Sequence, residues 1–337
     1  MSTFIMMCGL AGSGKSTFAK HLLEENPKSV IVSSDSIREE LYGSESEQGN
    51  PADVFNEMRV RTLKLLTEGH DVIYDATNIK RKRRKGFLKQ LPKDTHKVVI
   101  YIATPYKVAL SNNNSRERVV PQDVIHNMYK NLHVPIKSEG WDEIILYPHD
   151  SITDLPDQVK MGIRAGVLYK DYSNHDDIFL PLSSFFNQFS DILNLSQDSS
   201  FHSFSVSRHT FYVYKYVFKN QRDVFPDISD EDMELLIWVA LLHDLGKRFC
   251  KSFVNRKGEE TRYANFIGHE NVSAQLAVEV LSELGFNQEF ILRATTLIQF
   301  HMYLLNEKNN KEKLIGYVGQ KNYEYLQFIR DADNSAH

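Results

Sequence analysis

The chain has 337 residues, 42% of them hydrophobic and 25% charged, with a formal net charge of −4. That balance and length suit about two globular domains and exclude a disordered, collagen-like or low-complexity chain. The longest apolar run, Leu235 to Leu242, falls well short of the ~20 residues that span a bilayer, so no membrane association is expected. The N-terminal stretch lacks a positive flank and runs into a glycine loop, which does not read as a secretory signal. Two cysteines argue against a disulfide framework and for a reducing compartment, which predicts a cytoplasmic location with Cys8 as a small core residue. The first 150 residues lean basic and the remainder acidic, neither enough to advertise nucleic acid by bulk charge.

In chain order, apolar strand-like runs are predicted at Phe4–Cys8, Ser29–Ser33, Asp71–Asp75, Lys97–Ala103 and Asp142–Tyr147. Helical segments lie between them at 15–24, 52–68, 80–90, 105–113 and 121–132. This alternation reads as a parallel, doubly wound α/β sheet over residues 1–150. Residues 151–175 are broken by Pro, Gly and Asp and read as a linker. From 176 to 337 the strand-like runs stop and 3.6-residue periodicity takes over, as in Asp230–Phe249, His269–Leu284 and Gln288–Leu305, which predicts an all-α domain.

Gly9-Leu10-Ala11-Gly12-Ser13-Gly14-Lys15-Ser16, followed by Thr17, satisfies G-x-x-x-x-G-K-S/T directly after a strand and at the start of a helix. Glycines there let backbone N–H groups wrap a phosphate at a helix N-terminus. Lys15 would meet the β/γ-phosphates of ATP or another nucleoside triphosphate, and the Ser16 hydroxyl would meet Mg²⁺. Asp35, just past the second strand, sits where a carboxylate can take a proton from an attacking hydroxyl, and Arg38 lies one helical turn on. A helix cap by Ser or Asp in Ser33–Asp35 is the competing reading. Asp75 closes the third strand ahead of Ala76-Thr77-Asn78 and is expected to align the base or the metal's water shell. Arg116 and Arg118, in Asn113 to Pro121, are either lid arginines over a transferred phosphoryl group or a solvated helix end.

These elements, in this order over about residues 3–135, resemble the 5′-OH polynucleotide kinases of phage and bacterial end-repair systems. The resemblance implies Lys15 and Ser16 as phosphate-loop residues, Asp35 as general base, Arg38 as acceptor-binding and Arg116 or Arg118 as the lid arginine. One departure is Asn112, where the family often carries a further arginine. Beside such a site, the run Lys80-Arg81-Lys82-Arg83-Arg84-Lys85, with Lys89 and Lys93, is expected to meet backbone phosphates of RNA or DNA rather than only solvent.

Seven of the 13 histidines follow residue 150. His209, His243-Asp244, His269, His301 and Asp333 offer nitrogen and carboxylate ligands suited to a divalent transition ion such as Mn²⁺. Gly246-Lys247 follows, with an ammonium for a substrate phosphate. With Gly268-His269-Glu270 and Ala332-Asp333, these residues resemble the HD phosphohydrolase superfamily over about 180–337, close to the HD domains of bacterial tRNA nucleotidyltransferases. The resemblance implies His209, His243, Asp244 and Asp333 around one metal, and His269 and His301 at a second metal or the phosphate. His202 has a family-like place before His209, and Asp331 competes with Asp333.

Together the two halves are similar to HD-type polynucleotide kinases, although in those fusions the HD module comes first. The combination implies an α/β P-loop kinase domain followed by an all-α HD domain. It also implies end healing: a 5′ phosphate added from ATP, and a 3′-phosphate or 2′,3′-cyclic phosphate removed, with a nucleic-acid ligase as functional partner. The alternative is a small-molecule P-loop kinase fused to an HD nucleotidase or phosphodiesterase.

Overall fold

Runs of β-branched and aromatic residues bounded by glycine and polar turns become the strands of a parallel sheet, and the segments between them become its covering helices. The computed structural model describes residues 2–47, 49–149, 155–199, 204–305 and 308–336. Its chain divides into two compact units, Met1–Asp150 and Ser151–His337. The first runs β1 (Thr3–Cys8), α1 (Lys15–Glu25), β2 (Ser29–Ser33), α2 (Ser34–Tyr42), α3 (Pro51–Thr67), β3 (Asp71–Asp75), α4 (Arg81–Leu88), β4 (His96–Ala103), α5 (Tyr106–Asn114), α6 (Gln122–Asn131) and β5 (Glu143–Pro148).

The strands lie in the order β2-β3-β1-β4-β5, every pair parallel. A sheet covered on both faces buries both sets of alternating side chains. On one face Met7, Ile73, Val98, Ile100 and Ile102 pack with Ala19 of α1. On the other, the Phe4, Tyr74 and Phe87 rings cluster with centroids 4.8–5.8 Å apart. The chain leaves β1 toward β2 and β3, then passes back over β1 to β4. That reversal opens a crevice at the carboxyl ends of the strands. Register places Ser33 opposite Asp75 there, which brings the two predicted acids to one edge.

Helix α2 was not separated in the sequence from the loop that follows β2. Its N-cap is Ser33, whose Oγ accepts from the Asp35 N–H at 3.3 Å. The capping role left open between Ser and Asp therefore belongs to Ser33, and the Asp35 carboxylate is turned elsewhere.

The second unit runs α7 (Asp157–Tyr169), α8 (Asp176–Phe185), α9 (Asn187–Ile192), α10 (Val206–Val224), α11 (Asp230–Leu242), α12 (Lys247–Cys250), β6 (Ser252–Val254), β7 (Glu260–Asn265), α13 (His269–Glu283), α14 (Gln288–Phe300), α15 (Lys311–Val318) and α16 (Gln320–Ser335). Every residue from Leu235 to Leu242 is buried, as expected of a helix apolar all round at the centre of a bundle.

Three expectations need correction. The stretch read as a linker holds α7, whose Arg164 grips Glu234 at 3.0 and 3.1 Å and whose Val167 carbonyl accepts from the Tyr214 hydroxyl at 3.0 Å. Two glycines within α7, at 162 and 166, lower its intrinsic helicity and hide it in the sequence, and packing supplies the rest. The unit is not purely helical, because β6 and β7 pair as an antiparallel hairpin turned by Asn255 to Gly258. Its residues are largely polar and exposed, so the strands carry no apolar alternation to read. Finally, the helix expected over 230–249 breaks after Leu242. Gly246 runs against α13, where an added Cβ would lie 2.5 Å from the His269 carbonyl oxygen, and its N–H bonds Ser273 Oγ at 2.9 Å.

Among the described residues no helix is long and apolar enough to cross a membrane. Cys8 and Cys250 are free and buried, and burial pushes the Cys8 thiol up from its ordinary pKa.

Candidate active sites of the two units

The phosphate loop of the first unit is held from three sides. Gly9 N–H bonds the Thr77 carbonyl at 3.1 Å, Thr104 Oγ1 donates to the Ser13 carbonyl at 2.8 Å, and Asn112 Nδ2 donates to the Gly12 carbonyl at 3.1 Å. Gly12 has φ +77°, and a Cβ there would lie 2.1 Å from the Ala109 carbonyl oxygen, so only glycine fits. Gly14, at φ +88°, is the N-cap of α1. Lys15 is buried and curls back so that Nζ donates to the Leu10 carbonyl at 2.5 Å and reaches Ser13 Oγ at 3.4 Å. Burial lowers its pKa, opposed chiefly by the Asp75 carboxylate.

Two clefts meet at this lysine. One, of about 290 Å³, is lined by Gly12, Gly14, Lys15, Ser16, Thr17 and Arg116, with Asn112 and Ser115. The other, of about 370 Å³, takes in Lys15, Ser16, Asp35, Arg38, Asp75, Arg116 and Arg118 among its walls. The structure thus brings Lys15, Ser16, Asp35, Arg38, Asp75, Arg116 and Arg118 to one cleft and Gly12, Gly14 and Thr17 to the one beside it, whereas Gly9 and Ser13 line neither. Asp35 Oδ1 accepts from Arg38 Nη1 and from Arg118 Nη1, each at 2.6 Å. Its Oδ2 makes no hydrogen bond among the described residues. Arg116 is exposed and lines both clefts, whereas Arg118 is committed to Asp35.

Asn113 explains why the two arginines stand there. It is fully buried, donates to the Val120 carbonyl at 2.9 Å and accepts from the Val120 N–H at 3.0 Å, closing residues 113–120 into a loop. Asn78, at φ +48°, pins the end of β1 by donating to the Met7 carbonyl at 2.6 Å. Both asparagines stood in the sequence motifs, but their work is bonding to backbone and cannot be read without the fold.

The basic run after β3 does not act as one surface. Arg84 is buried and forms two 2.7 Å hydrogen bonds to Glu139, which also accepts from Trp141 Nε1 at 3.1 Å and the Ile136 N–H at 3.2 Å. Arg81 lies 3.8 Å from the same carboxylate. The expectation that the whole run meets backbone phosphates is corrected for Arg84, which the fold uses in its own interior. Lys82, Arg83, Lys89 and Lys93 are exposed.

In the second unit, α10 supplies His209, the turn after α11 supplies His243 and Asp244, α13 opens with His269, His301 follows α14, and α16 carries Asp333. Each imidazole Nδ1 lies 2.7–2.8 Å from a backbone carbonyl: Ala336 for His209, Ala240 for His243, Phe266 for His269 and Ile298 for His301. A carbonyl only accepts, so Nδ1 carries a proton in each ring and Nε2 is the atom turned inward, where a metal would take the place of any second proton. The Nε2 atoms converge. His209 Nε2 is 2.9 Å from Asp333 Oδ1 and 3.7 Å from Asp244 Oδ2, and His243 Nε2 is 3.6 Å and 3.3 Å from the same two oxygens. His269 Nε2 is 3.3 Å from Asp244 Oδ1 and 3.2 Å from His301 Nε2.

Two ligand groups result, His209-His243-Asp244 and Asp244-His269-His301, with Asp244 common to both. Burial opposes a charged His243, but Asp244 and Asp333 outweigh it and hold its pKa up at about 10. Burial, with His269 and His243 alongside, takes His301 down to about 3. Burial also works against ionised Asp244, yet His243 and Lys247 hold it well below the usual carboxylate range. The donor set fits a divalent transition ion, and His243 Nε2 is buried without a hydrogen-bond partner among the described residues, an orphaned ligand atom of the kind a metal satisfies.

Lys247 does not stand free for a phosphate. Its Nζ lies 2.7 Å from Asp244 Oδ2 and donates to Gln197 Oε1 at 2.8 Å. Gln197 was not singled out in the sequence, which gives no signal for it. Asp331 pairs with Arg330 at the surface at 2.7 Å, so of the two competing acids it is Asp333 that faces the cluster. His202 lies outside the described residues.

Residues 4–135 match the family model of an AAA domain, and residues 206–336 that of an HD domain. The first unit is a P-loop kinase-like α/β fold and the second a helical region carrying an HD domain. The N-terminal region is similar to the L-seryl-tRNA(Sec) kinase of Methanococcus maripaludis, 31% identical over 144 residues that make up 41% of this chain and 55% of that protein. The chain is also 36% identical to the A-adding tRNA nucleotidyltransferase of Deinococcus radiodurans over 76 residues, 23% of this chain and 16% of that protein. It therefore spans about half the length of the first of these relatives and a sixth of the second. A solved chain from the "Structure of the Pnkp1/Rnl/Hen1 RNA repair complex" aligns at 19% identity and a TM-score of 0.35, over 38% of this chain and 42% of that one, a likeness too slight to carry a conclusion.

Proposed function

We propose that this kinase–HD fusion heals nucleic-acid ends, its first domain phosphorylating a 5′-hydroxyl from ATP and its second removing a 3′-phosphate or 2′,3′-cyclic phosphate. The observation that carries the reading is Asp35: a carboxylate clasped by two arginines in the same cleft as the phosphate-loop lysine. A nucleotide-hydrolysing switch has no need of a base arranged for a second substrate.

In the kinase step the acceptor hydroxyl gives its proton to Asp35 Oδ2 as its oxygen bonds the γ-phosphorus, and the bond to the departing diphosphate breaks. Arg38 and Arg118 fix the carboxylate through Oδ1, and Arg38 stands at the acceptor's phosphate. Lys15 swings from the Leu10 carbonyl to the β/γ-phosphates, and Arg116, reaching both clefts, stabilises charge on the transferred group. Ser16 would hold Mg²⁺, with Asp75 ordering its water shell and Gly9, Gly12, Ser13, Gly14 and Thr17 cradling the phosphates. Exposed Lys82 and Arg83 lie toward the strand's backbone.

In the HD site His209, His243, Asp244, His269, His301 and Asp333 would hold one or two divalent ions, Mn²⁺ being one that suits them. A metal there supplies Lewis acidity and a water acidified toward neutrality. The chain's own part is to lock the four Nδ1–H groups, so that every Nε2 faces inward. Lys247, held by Gln197, orients Asp244.

The two buried thiols, in no disulfide, suit a cytoplasmic place, and a ligase would consume the healed ends. A second reading is favoured by the 31% identity to a seryl-tRNA kinase: the acceptor hydroxyl is then carried by an aminoacyl group on a tRNA.

The test is one RNA with 5′-hydroxyl and 3′-phosphate ends, incubated with ATP, Mg²⁺ and Mn²⁺ and read by intact mass, beside Lys15→Ala and Asp244→Ala. End healing requires a gain at the 5′ end lost only in the first variant, and a loss at the 3′ end abolished only in the second. Phosphorylation of seryl-tRNA with no change to 5′-hydroxyl RNA would replace this reading with the second.

A further inference from the structure

Beyond the Asp35 cleft the same wall continues into a third and larger cavity that neither catalytic site uses. It measures about 630 Å³, within the ~300–1,000 Å³ typical of ligand clefts. It opens between α3 and α4, and Pro51, Phe55, Thr77, Ile79, Lys80 and Arg83 line both it and the Asp35 cleft. The three cavities therefore stand in a row: phosphate loop, Asp35, and the α3–α4 cleft.

The chemistry of this last cavity is divided. Its apolar lining comes from Met6 and Tyr74 of the sheet, both largely buried, and from the half-buried Phe87 of α4, and Phe55 flanks it from α3. Its rim is cationic, with Arg59 on one side and Lys82 and Arg83 on the other. An aromatic, apolar wall bordered by positive charge matches a nucleobase with its phosphate, since any base has a π-face to stack and each linkage carries one negative charge. A free hydrophobic ligand would leave the cations unused, and an inorganic anion would leave the aromatic wall unused.

We propose that the α3–α4 cleft binds a nucleotide of the acceptor strand inward of the reacting end, its base against the aromatic wall at Phe55 and Phe87 and its phosphate at Arg59, Lys82 and Arg83. This rests on the end-healing reading and adds a determinant that makes a strand a better acceptor than a mononucleotide.

The experiment uses the full chain and a set of 5′-hydroxyl oligoribonucleotides, each lacking the base at one of the first four nucleotides. KM and kcat for 5′ phosphorylation are measured for the wild type, Arg59→Glu and Phe55→Ala. Base removal at a single inward position should raise the wild-type KM about tenfold with kcat unchanged, a size in keeping with base–aromatic stacking. Arg59→Glu should raise the KM of the intact strand similarly and leave that of a nucleoside 3′-monophosphate alone. Phe55→Ala should add little further penalty to the strand already missing that base.

Equal KM values for every abasic position, or an unaffected Arg59→Glu, overturn the inference while the kinase reading survives. A rise in the KM for ATP instead assigns the cleft to the donor and also overturns it. Failure to phosphorylate any 5′-hydroxyl acceptor, mononucleotide included, removes the kinase reading itself.

Discussion

In the first unit the crevice is made at the carboxyl ends of neighbouring parallel strands, and much of the phosphate cradle is backbone fixed by glycine. In the second, six side chains from five separate segments meet in the interior, and their inward-facing ring nitrogens are oriented by four backbone carbonyls. A backbone cradle is built wherever a short segment adopts its turn, so its parts lie close in sequence. A side-chain cluster exists only after the bundle has assembled, and each member depends on the others for charge balance. The first site should lose function group by group, whereas the second should lose it as a unit.

Asp244 is where that difference is largest, because both ligand groups use it. Asp244→Ala should empty both groups of metal and lower the phosphoesterase rate about 10³-fold or more, with the kinase rate within about twofold of wild type. His209→Ala should deplete the group it belongs to and spare Asp244-His269-His301. Metal analysis of the purified variants, beside the two activities, distinguishes these results. Lys15→Ala should do the reverse, costing the kinase about 10³-fold and the phosphoesterase nothing. Loss of both activities in either variant would mean that the two sites are not separate.

The next largest effect lies inside the basic run. Arg84→Ala leaves buried Glu139 without its two 2.7 Å hydrogen bonds and with only Arg81 nearby, and should destabilise the first unit by about 3 kcal/mol. Lys82→Ala, at an exposed position of the same helix, should stay within about 0.5 kcal/mol. Chemical denaturation followed by circular dichroism measures both. An Arg84 variant as stable as the Lys82 variant would return the arginine to the nucleic-acid surface on which the sequence placed it.

That pair also shows what a sequence discloses. The phosphate loop, Asp35 and Asp75 were legible because a parallel strand, its turn and its acid lie within a few consecutive residues. The HD ligands were legible only as a pattern of residue types that resembles a family, since no local periodicity joins His209 to Asp333. Arg84 reads the same as its neighbours in a run of cations, because its partner is 55 residues away. Gln197 gave no signal for the same reason, its role being set by Lys247 on another segment. Helix α7 and the β6–β7 hairpin were missed because glycine and exposed polar residues mask the periodicity by which helices and strands are recognised.

A pH experiment probes the packing of the second unit away from its candidate metal site. Burial raises Glu279 from its ordinary 4.5 to about 7, against the hydrogen bond it accepts from Gln188 at 2.9 Å and with Glu283 adding to the rise. The folded state then binds more protons than the unfolded state between those values, so its contribution to stability is lost as pH rises from about 4.5 to about 7. Glu279→Gln should raise the melting temperature of the second unit at pH 8, by the equivalent of about 3 kcal/mol, and change it little at pH 4.5. An equal change at both pH values would mean that the carboxyl group is not the cause.

The smallest effect concerns the part of the first site that is built like the second. The loop that carries Arg116 and Arg118 depends on one buried side chain, Asn113, whose two hydrogen bonds to Val120 set where the two arginines stand. Asn113→Ala should lower the kinase kcat about tenfold with little change in the KM for ATP, as expected when a group that acts in the transition state is displaced and ground-state binding is not. Arg118→Ala should have an effect of its own through Asp35. Because Asn113 acts by placing both arginines, adding Asn113→Ala to a variant that already lacks Arg116 and Arg118 should cost little more, whereas independent contributions would multiply. Multiplied losses would make Asn113 a stabiliser of the loop alone, and the first site would then be local in every part.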